Sequence, residues 1–457
     1  MTGVASELAD VVGAEHVLSG AAVPADYGHD EALGVAAQPP AHVVRPASTD
    51  QVAGVLRVAA AAGIPVTARG SGTGLSGAAV PRPDGLVVSF ERMDRILDID
   101  TANHVAVVQP GVTLAALDTA TAAKGLVYPV FPGENSASLG GNVATNAGGM
   151  RAVKYGVTRH QVLGLEAVLA TGEVIRTGGR FVKTSTGYDL TQLVVGSEGT
   201  LALVTEATLR LYPRAEHQAT VLAPFGTLAE VTRAVPEIVA SGIGPMILEY
   251  IDALTMAAIT ANADLGLGVS DQIRQATSAY LVVVCENRSV ERLDADTAAL
   301  AGQLADLGAL DVYVLPAGAA RRLIEAREKA FWVARAAGAG DIVDVVVPRA
   351  AIADFLAAAQ RIAEAHQTAV IGCGHAGDGN VHLSVFEPDP QRRHLVLRDL
   401  FTAGMALGGA ISGEHGVGVG KKRYFLELED PAKIALMRRI KTAFDPHNIL
   451  NPGVLLD

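Results

Sequence analysis

The sequence predicts an α+β protein of two domains, and three observations carry that expectation. The chain has 457 residues, well beyond the roughly 250–300 at which a single hydrophobic core stops growing. Its first half reads as short β-branched runs separated by loops rich in Gly, Asn and Ser, whereas from about residue 214 Ala-rich helical stretches alternate with apolar strands. The composition is 49% hydrophobic and 18% charged, with 49 glycines, which belongs to a compact enzyme with many tight turns and excludes a disordered or fibrous chain. These textures divide the sequence into residues 1–213, 214–411 and a closing segment, 412–457.

The first unit begins with a strand at 42–45, followed by Ser48 and Thr49 as N-cap candidates, a helix at 50–62 closed by Gly63, and a strand at 64–68. This is a small βαβ-like unit. Further strands are expected at 85–90, 104–109, 164–170, 174–176 and 201–211, with a helix at 113–124. In the second half, apolar strands at 280–285 and 369–374 stand out, and residues 430–457 carry one amphipathic helix.

A formal net charge of -12, with 36 Lys and Arg scattered along the chain, leaves no electrostatic footprint for nucleic acid. The two cysteines, Cys285 and Cys373, are far apart and outside any CxxC spacing. They suggest neither a disulfide framework nor a thiolate zinc site and fit a reducing cytosol. The N-terminus lacks a basic segment followed by an apolar run, and no stretch approaches the ~18 apolar residues of a spanning helix. A cytoplasmic protein with at most peripheral membrane contact is expected; assembly as a homodimer is left open.

Directly after the strand at 64–68 lies a literal GxGxxG at Gly72, Gly74 and Gly77. A dinucleotide-binding turn of that spelling opens a helix at its third glycine. Pro81 and Pro83 leave no room for one here. What survives is a loop of Arg69, Gly70, Ser71, Gly72, Thr73, Gly74, Leu75 and Ser76, whose backbone N–H groups and hydroxyls can converge on phosphate oxygens without a helix. Taken alone, such a loop is equally well a structural turn. A second loop tips the balance, because a stretch this long inside a compact domain is uncommon without a function. It spans 132–149 and contains Pro132, Gly133, Ser136, Leu139, Gly140, Gly141, Asn142, Thr145, Asn146, Gly148 and Gly149, with Glu134 its one charge. Its small side chains let a flat ring approach the main chain. A third glycine-rich element, at 196–206, includes Glu198, Gly199 and Val204.

The three loops in this order resemble the FAD-binding domain of the vanillyl-alcohol oxidase superfamily. The resemblance is to its branch of D-lactate dehydrogenase, the glycolate oxidase FAD subunit and D-2-hydroxyglutarate dehydrogenase, and covers about residues 43–453. It implies a two-subdomain FAD-binding domain, an α+β substrate or cap domain, and a C-terminal segment returning to the FAD domain. It further implies that Arg69 to Ser76 hold the FAD pyrophosphate, that residues 132–149 line the isoalloxazine and ribityl chain, and that Gly156, Glu198, Gly199, Val204 and Asn451 complete the site. Relatives with covalent flavin attach it to a histidine of the first loop. Here Thr73 stands near that place and the loop has no His, so non-covalent FAD is expected.

Independently, the stretch from His375 to His382 suggests a hairpin turning at 376–379. With His375 opposite Asn380, His382 becomes a same-face diagonal neighbour roughly 7–8 Å away, so two imidazoles can converge on one ion. Glu414 and His415 are adjacent; on extended backbone they point to opposite faces, one to ligate and one to meet substrate. Any one of these histidines alone reads as an ordinary hydrogen-bonded residue. Two His and one Glu with an open position, however, form the pattern of a catalytic metal site. The resemblance implies a divalent metal (Zn, Mn or Fe) on His375, His382 and Glu414, His415 as base, and Arg335 as the anchor of the substrate carboxylate, with Arg327 an equally plausible bystander.

The reaction expected is oxidation of a small D-2-hydroxy acid to the 2-oxo acid: the metal polarises the 2-hydroxyl, neutral His415 takes its proton, and hydride passes to flavin N5. An electron acceptor that the sequence does not identify must follow. Two rivals remain. A metal-dependent hydrolase using His375, His382 and Glu414 leaves three donor-rich loops without a ligand, and a non-catalytic flavin-binding protein leaves Glu414 and His415 unexplained.

Overall fold

The computed structural model describes residues 2–456. Strands His42–Val44 and Val66–Arg69 both pair in parallel with Leu86–Ser89, and Val17–Ser19 adds an antiparallel edge. The helix between the first two, Thr49–Ala62, starts where Ser48 Oγ accepts from the Gln51 N–H and stops at Gly63, whose φ of 64° suits a residue without Cβ. Its buried Val52, Val55, Leu56 and Ala59 pack on Leu86 and Val88 of the sheet. The second strand starts two residues later than its sequence pattern predicts. A helix at Thr2–Val12, for which the sequence reading made no prediction, adds Leu8 and Val12 to this core.

A second, five-stranded sheet is antiparallel throughout, in the order Ile96–Asp100, Val105–Val108, Leu203–Arg210, Val162–Val168, Val174–Gly178. Against it packs a helix that the sequence did not predict, since residues 132–149 read as loop. Leu139–Thr145 is helical, capped by Ser138 Oγ on the Gly141 N–H and closed by Asn146 at φ 55°. Gly140 and Gly141 have poor helix propensity, and packing overrides it. Leu139 and Val143 are fully buried in the sheet's core, and a Cβ on Gly140 would lie 2.5 Å from Pro110 Cβ, so glycine is what lets the helix seat.

The second half builds a seven-stranded sheet in the order Tyr313–Leu315, His217–Phe225, Ala279–Asn287, Ile247–Asp252, Val370–His375, Asn380–Val385, Asp341–Val346. Alternate residues face opposite layers. Val221, Leu281 and Val283 meet helices Leu228–Ala240, Val290–Asp306, Ile352–His366 and Pro390–Ala406. Leu222, Val282 and Cys373 meet helices Ala253–Asn262 and Ala317–Glu328. The second of these faces also carries His375, two residues along the strand from Cys373.

The closing segment serves both halves, which is more than the return to the first half expected of it. Tyr424, Phe425 and Ile434 pack in the core of the seven-stranded sheet, while Ile449 and Leu450 enter that of the parallel sheet. Val66 N–H donates to Ile449 O, and Asn451 N–H donates to Val66 O. Among the described residues, no helix is long and apolar enough to cross a membrane.

Candidate active site

The hairpin predicted from sequence forms with His375 opposite Asn380, and the His375 and His382 ring centroids lie 4.8 Å apart. Both imidazoles are buried. Each is aimed by an acid behind it. His375 Nδ1 is 2.5 Å from Glu249 Oε1, and His382 Nδ1 is 3.4 Å from Asp344 Oδ1. Both Nε2 atoms turn to one point, Glu414 Oε1, at 3.1 and 3.2 Å.

Glu414 and His415 do not sit on extended backbone, which corrects the expectation that they face opposite ways. Residues 413–415 are a bend wrapped around the buried carboxylate of Asp344. Asp344 Oδ2 accepts from Ser412 Oγ at 2.7 Å and from the backbone N–H groups of Gly413, Glu414 and His415 at 3.1, 3.0 and 2.8 Å, while Oδ1 accepts from Asn380 Nδ2 at 2.9 Å. The bend therefore turns both side chains into the same chamber, and His415 stacks on His382 with centroids 5.1 Å apart and planes at 12°. Burial opposes the charge on Asp344, but His415, Lys421 and His382 outweigh it and hold the carboxyl well below its ordinary range. Burial pushes His415 down to about 4, with Lys421 and His382 adding to the effect against Asp344, so its imidazole is neutral at physiological pH.

This donor set fits a divalent cation. Glu414 Oε2 is buried without a hydrogen-bond partner. Glu249, hydrogen-bonded behind His375, is the kind of outer support that fixes the tautomer of a metal-bound imidazole, while Asp344 stands 3.4 Å behind His382 without a hydrogen bond formed. By distance alone, Asp344, His382, Glu414 and His415 also form a cluster with donor atoms within 4.8 Å of one another. Asp344 is already committed to hydrogen-bond donors on both oxygens, however, so His375, His382 and Glu414 are the better set.

The glycine loops line an adjoining cleft of ≈ 1280 Å³, open mouth included. Residues 70–76 form one wall, facing Pro132, Gly133, Gly141, Asn142, Thr145, Glu198 and Gly199. Asn142 Nδ2 is buried and unpartnered, a donor awaiting an acceptor. Gly140 and Val204 line a small cavity continuous with Gly70, Gly141 and Gly199.

The other expected cofactor residues stand behind this wall and shape it. Arg69 donates to His29 O at 2.6 Å, and its guanidinium fills the space a Cβ on Gly72 would need. Ser136 O accepts from Ser71 Oγ. Asn451 Nδ2 donates to Ala78 O and Glu198 O, while Asn146 Oδ1 accepts from Arg159 N–H. Leu139 lies in the core. Gly148 lets the loop meet Glu414, whose Oε2 would lie 2.7 Å from a Cβ there; Gly149 touches Phe131; and Gly156 ends the short helix Ala152–Tyr155 at φ 79°.

The two arginines part company. Arg335 pairs with Glu31 at 2.6 Å with its side chain 47% exposed, and lies outside the chamber lining. Arg327 is buried, lines the chamber, touches Glu249 Oε2 at 2.7 Å and keeps Nε without a hydrogen-bond partner.

Cleft and chamber share a wall, because Leu75, Glu328, Phe331, Glu414 and His415 line both. Among known families, residues 40–178 match the FAD binding domain, and residues 214–455 match the C-terminal domain of FAD linked oxidases. The chain belongs to the FAD-linked oxidases. It is 58% identical over 455 residues to an uncharacterized FAD-linked oxidoreductase of Mycobacterium tuberculosis, covering 100% of this chain and 99% of the relative. It is 41% identical over 418 residues to a D-lactate dehydrogenase of Archaeoglobus fulgidus, with 90% of each covered. The solved structure of p-cresol methylhydroxylase with substrate bound superposes with a TM-score of 0.81 at 19% identity, over 100% of this chain and 97% of that one, so the two share a fold.

Sequence reading of this FAD-linked oxidase missed Glu249 and Asp344. Each leaves a signal, an acid set within a strand of Ile, Leu, Val and Tyr: Ile247–Asp252 and Asp341–Val346. Burial there is costly unless the acid is paired.

Proposed function

We propose that this FAD-linked oxidase dehydrogenates a D-2-hydroxy acid to the 2-oxo acid. The observation that carries the reading is the shared wall, where Glu414 and His415 face the flavin cleft and the histidine chamber together. The D configuration is favoured by the similarity to a D-lactate dehydrogenase. Non-covalent FAD, when bound in the cleft, would supply the hydride acceptor, and a divalent cation, which His375, His382 and Glu414 would hold, would supply Lewis acidity toward the 2-hydroxyl.

The chain's own residues supply the rest. Arg327, rather than Arg335, offers a buried guanidinium to the substrate carboxylate through its unpartnered Nε. His415, neutral because burial disfavours its cation, takes the hydroxyl proton. Asp344 holds that imidazole in place through the backbone N–H of its own residue. Phe331, shared by both cavities, helps keep water from the junction.

Anaerobic addition of D-lactate or glycolate to the purified yellow protein is expected to bleach its visible absorption. L-Lactate is expected to do so at least 10²-fold more slowly. Full retention of colour with every 2-hydroxy acid, in metal-replete protein, overturns the reading. Arg327→Lys is expected to raise KM by roughly 10–100-fold, the worth of a charged hydrogen bond, whereas Arg335→Ala leaves it within a factor of about three. The reverse pattern would restore Arg335 as the anchor.

A further inference from the structure

Strand register sets the chemistry of the chamber floor beyond the metal-ligand residues. Across strands Val370–His375, Asn380–Val385 and Asp341–Val346, Cys373, His382 and Asp344 form one row, and Ile371, Ser384 and Ile342 form the row two residues further along each strand. At ~3.4 Å per residue the second row lies roughly 7 Å from the first on the same face. Ile259, Phe331 and Phe386 wall the space above it. Among the described residues lining the chamber, Arg327 is the one Arg or Lys, and it is already in contact with Glu249. The rest of the lining is largely apolar, with Ala258, Ala330, Val333 and Ala334 in it.

We propose that the substrate of the reaction proposed above, on which this inference rests, is a monocarboxylic 2-hydroxy acid with a bulky apolar side chain, branched-alkyl or aromatic. Ile342 and Ile371 select it. With the substrate's first carboxylate on Arg327, its side chain runs toward the isoleucine row. A second carboxylate there is desolvated against Ile342 and Ile371 with Arg327 already occupied by the first, which disfavours dicarboxylic hydroxy acids. An apolar side chain gains instead, at roughly 0.8 kcal/mol or about fourfold in binding for each buried CH₂.

The test is a graded series on the FAD- and metal-loaded wild-type enzyme: glycolate, D-lactate, D-2-hydroxybutyrate, D-2-hydroxyisocaproate, D-phenyllactate and D-2-hydroxyglutarate. It is scored as kcat/KM with an artificial electron acceptor. In parallel, the Kd of the corresponding 2-oxo acids is read from the perturbation of the flavin spectrum. The expected result is a rise of roughly two- to fourfold per added carbon up to the branched or aromatic acids, with Kd falling in step and D-2-hydroxyglutarate at least 10²-fold below the best. A maximum at glycolate or D-lactate, or at the dicarboxylate, overturns the inference while leaving the 2-hydroxy acid reading intact. Inactivity with the whole series overturns both. Ile371→Lys should shift the ratio of dicarboxylate to isocaproate Kd by at least tenfold toward the dicarboxylate, and the wild-type series decides the matter whether or not that variant folds.

Discussion

Replacing Asp344 by Asn tests how the bend that carries Glu414 and His415 is held. One carboxylate oxygen accepts from Ser412 Oγ and three successive backbone N–H groups, while the other accepts from Asn380 Nδ2. An amide cannot reproduce this. If its oxygen faces the bend, its NH₂ meets the Asn380 NH₂; if it is turned over, the NH₂ meets three N–H donors. Hydrogen bonds to a charged acceptor contribute ~1.5–3 kcal/mol each against ~0.5–1.5 for neutral ones. Four weakened bonds, less the relief of burying a charge, give a net loss of about 3–5 kcal/mol, in line with breaking a buried ionic arrangement. Because the chain has more than one core, a global unfolding energy is the wrong observable. Hydrogen exchange of the amides of Gly413, Glu414 and His415 is the right one, and the loss corresponds to exchange faster by roughly 10²–10⁴-fold. Bound metal should fall with it. If those amides stay as protected in Asp344→Asn as in the wild type, Asp344 does not organise the bend.

Other expectations follow from single contacts. Glu249→Gln removes the anionic partner of His375 Nδ1 and should weaken metal affinity by roughly 10–100-fold, read by titration against a chelating indicator; unchanged affinity would show that the acid is not supporting a ligand. Gly70→Ala places a Cβ 1.9 Å from Ser138 Oγ, so the purified variant should carry little FAD by its 450-to-280 nm absorbance ratio. Adding Ser138→Ala should recover part of it, and a Gly70→Ala protein with full flavin would refute the steric argument. Glu328 is raised to about 7 by burial and by Glu325. Its folded form binds the proton more tightly than the unfolded chain, so its contribution to stability is fully present below about pH 4.5 and is lost as pH rises to about 7. Glu328→Gln should therefore slow hydrogen exchange of the amides of helix Ala317–Glu328, relative to wild type, more at pH 8 than at pH 5, by the equivalent of about 1–2 kcal/mol after allowing for solvent screening of a partly exposed group. An equal change at both pH values would show that the carboxyl is not perturbed.

How legible the site was in the sequence depended on how local each feature is. The pairing of His375 with Asn380 could be read because a short Gly-containing turn fixes register, and a one-residue slip would send His382 to the other face. The glycine loops could be read because their composition has little structural purpose without a ligand. The helix Leu139–Thr145 could not, since its stability comes from Leu139 and Val143 packing on a sheet assembled from distant strands. Arg327 and Arg335 lie eight residues apart on successive short helices, Ala317–Glu328 and Ala330–Ala336, and only burial separates them. Glu414 and His415 were expected on opposite faces because the sequence does not reveal the carboxylate of Asp344, 70 residues away, around which their backbone bends.

Anomalous diffraction from crystals of the FAD-loaded protein soaked in Mn²⁺ or Zn²⁺ goes straight to the joining of flavin cleft and histidine chamber. A single metal peak bonded to His375 Nε2, His382 Nε2 and Glu414, with the flavin ring across the wall formed by His415, is the expected result. A metal bound elsewhere, or a flavin ring pointing away from His415, would contradict it.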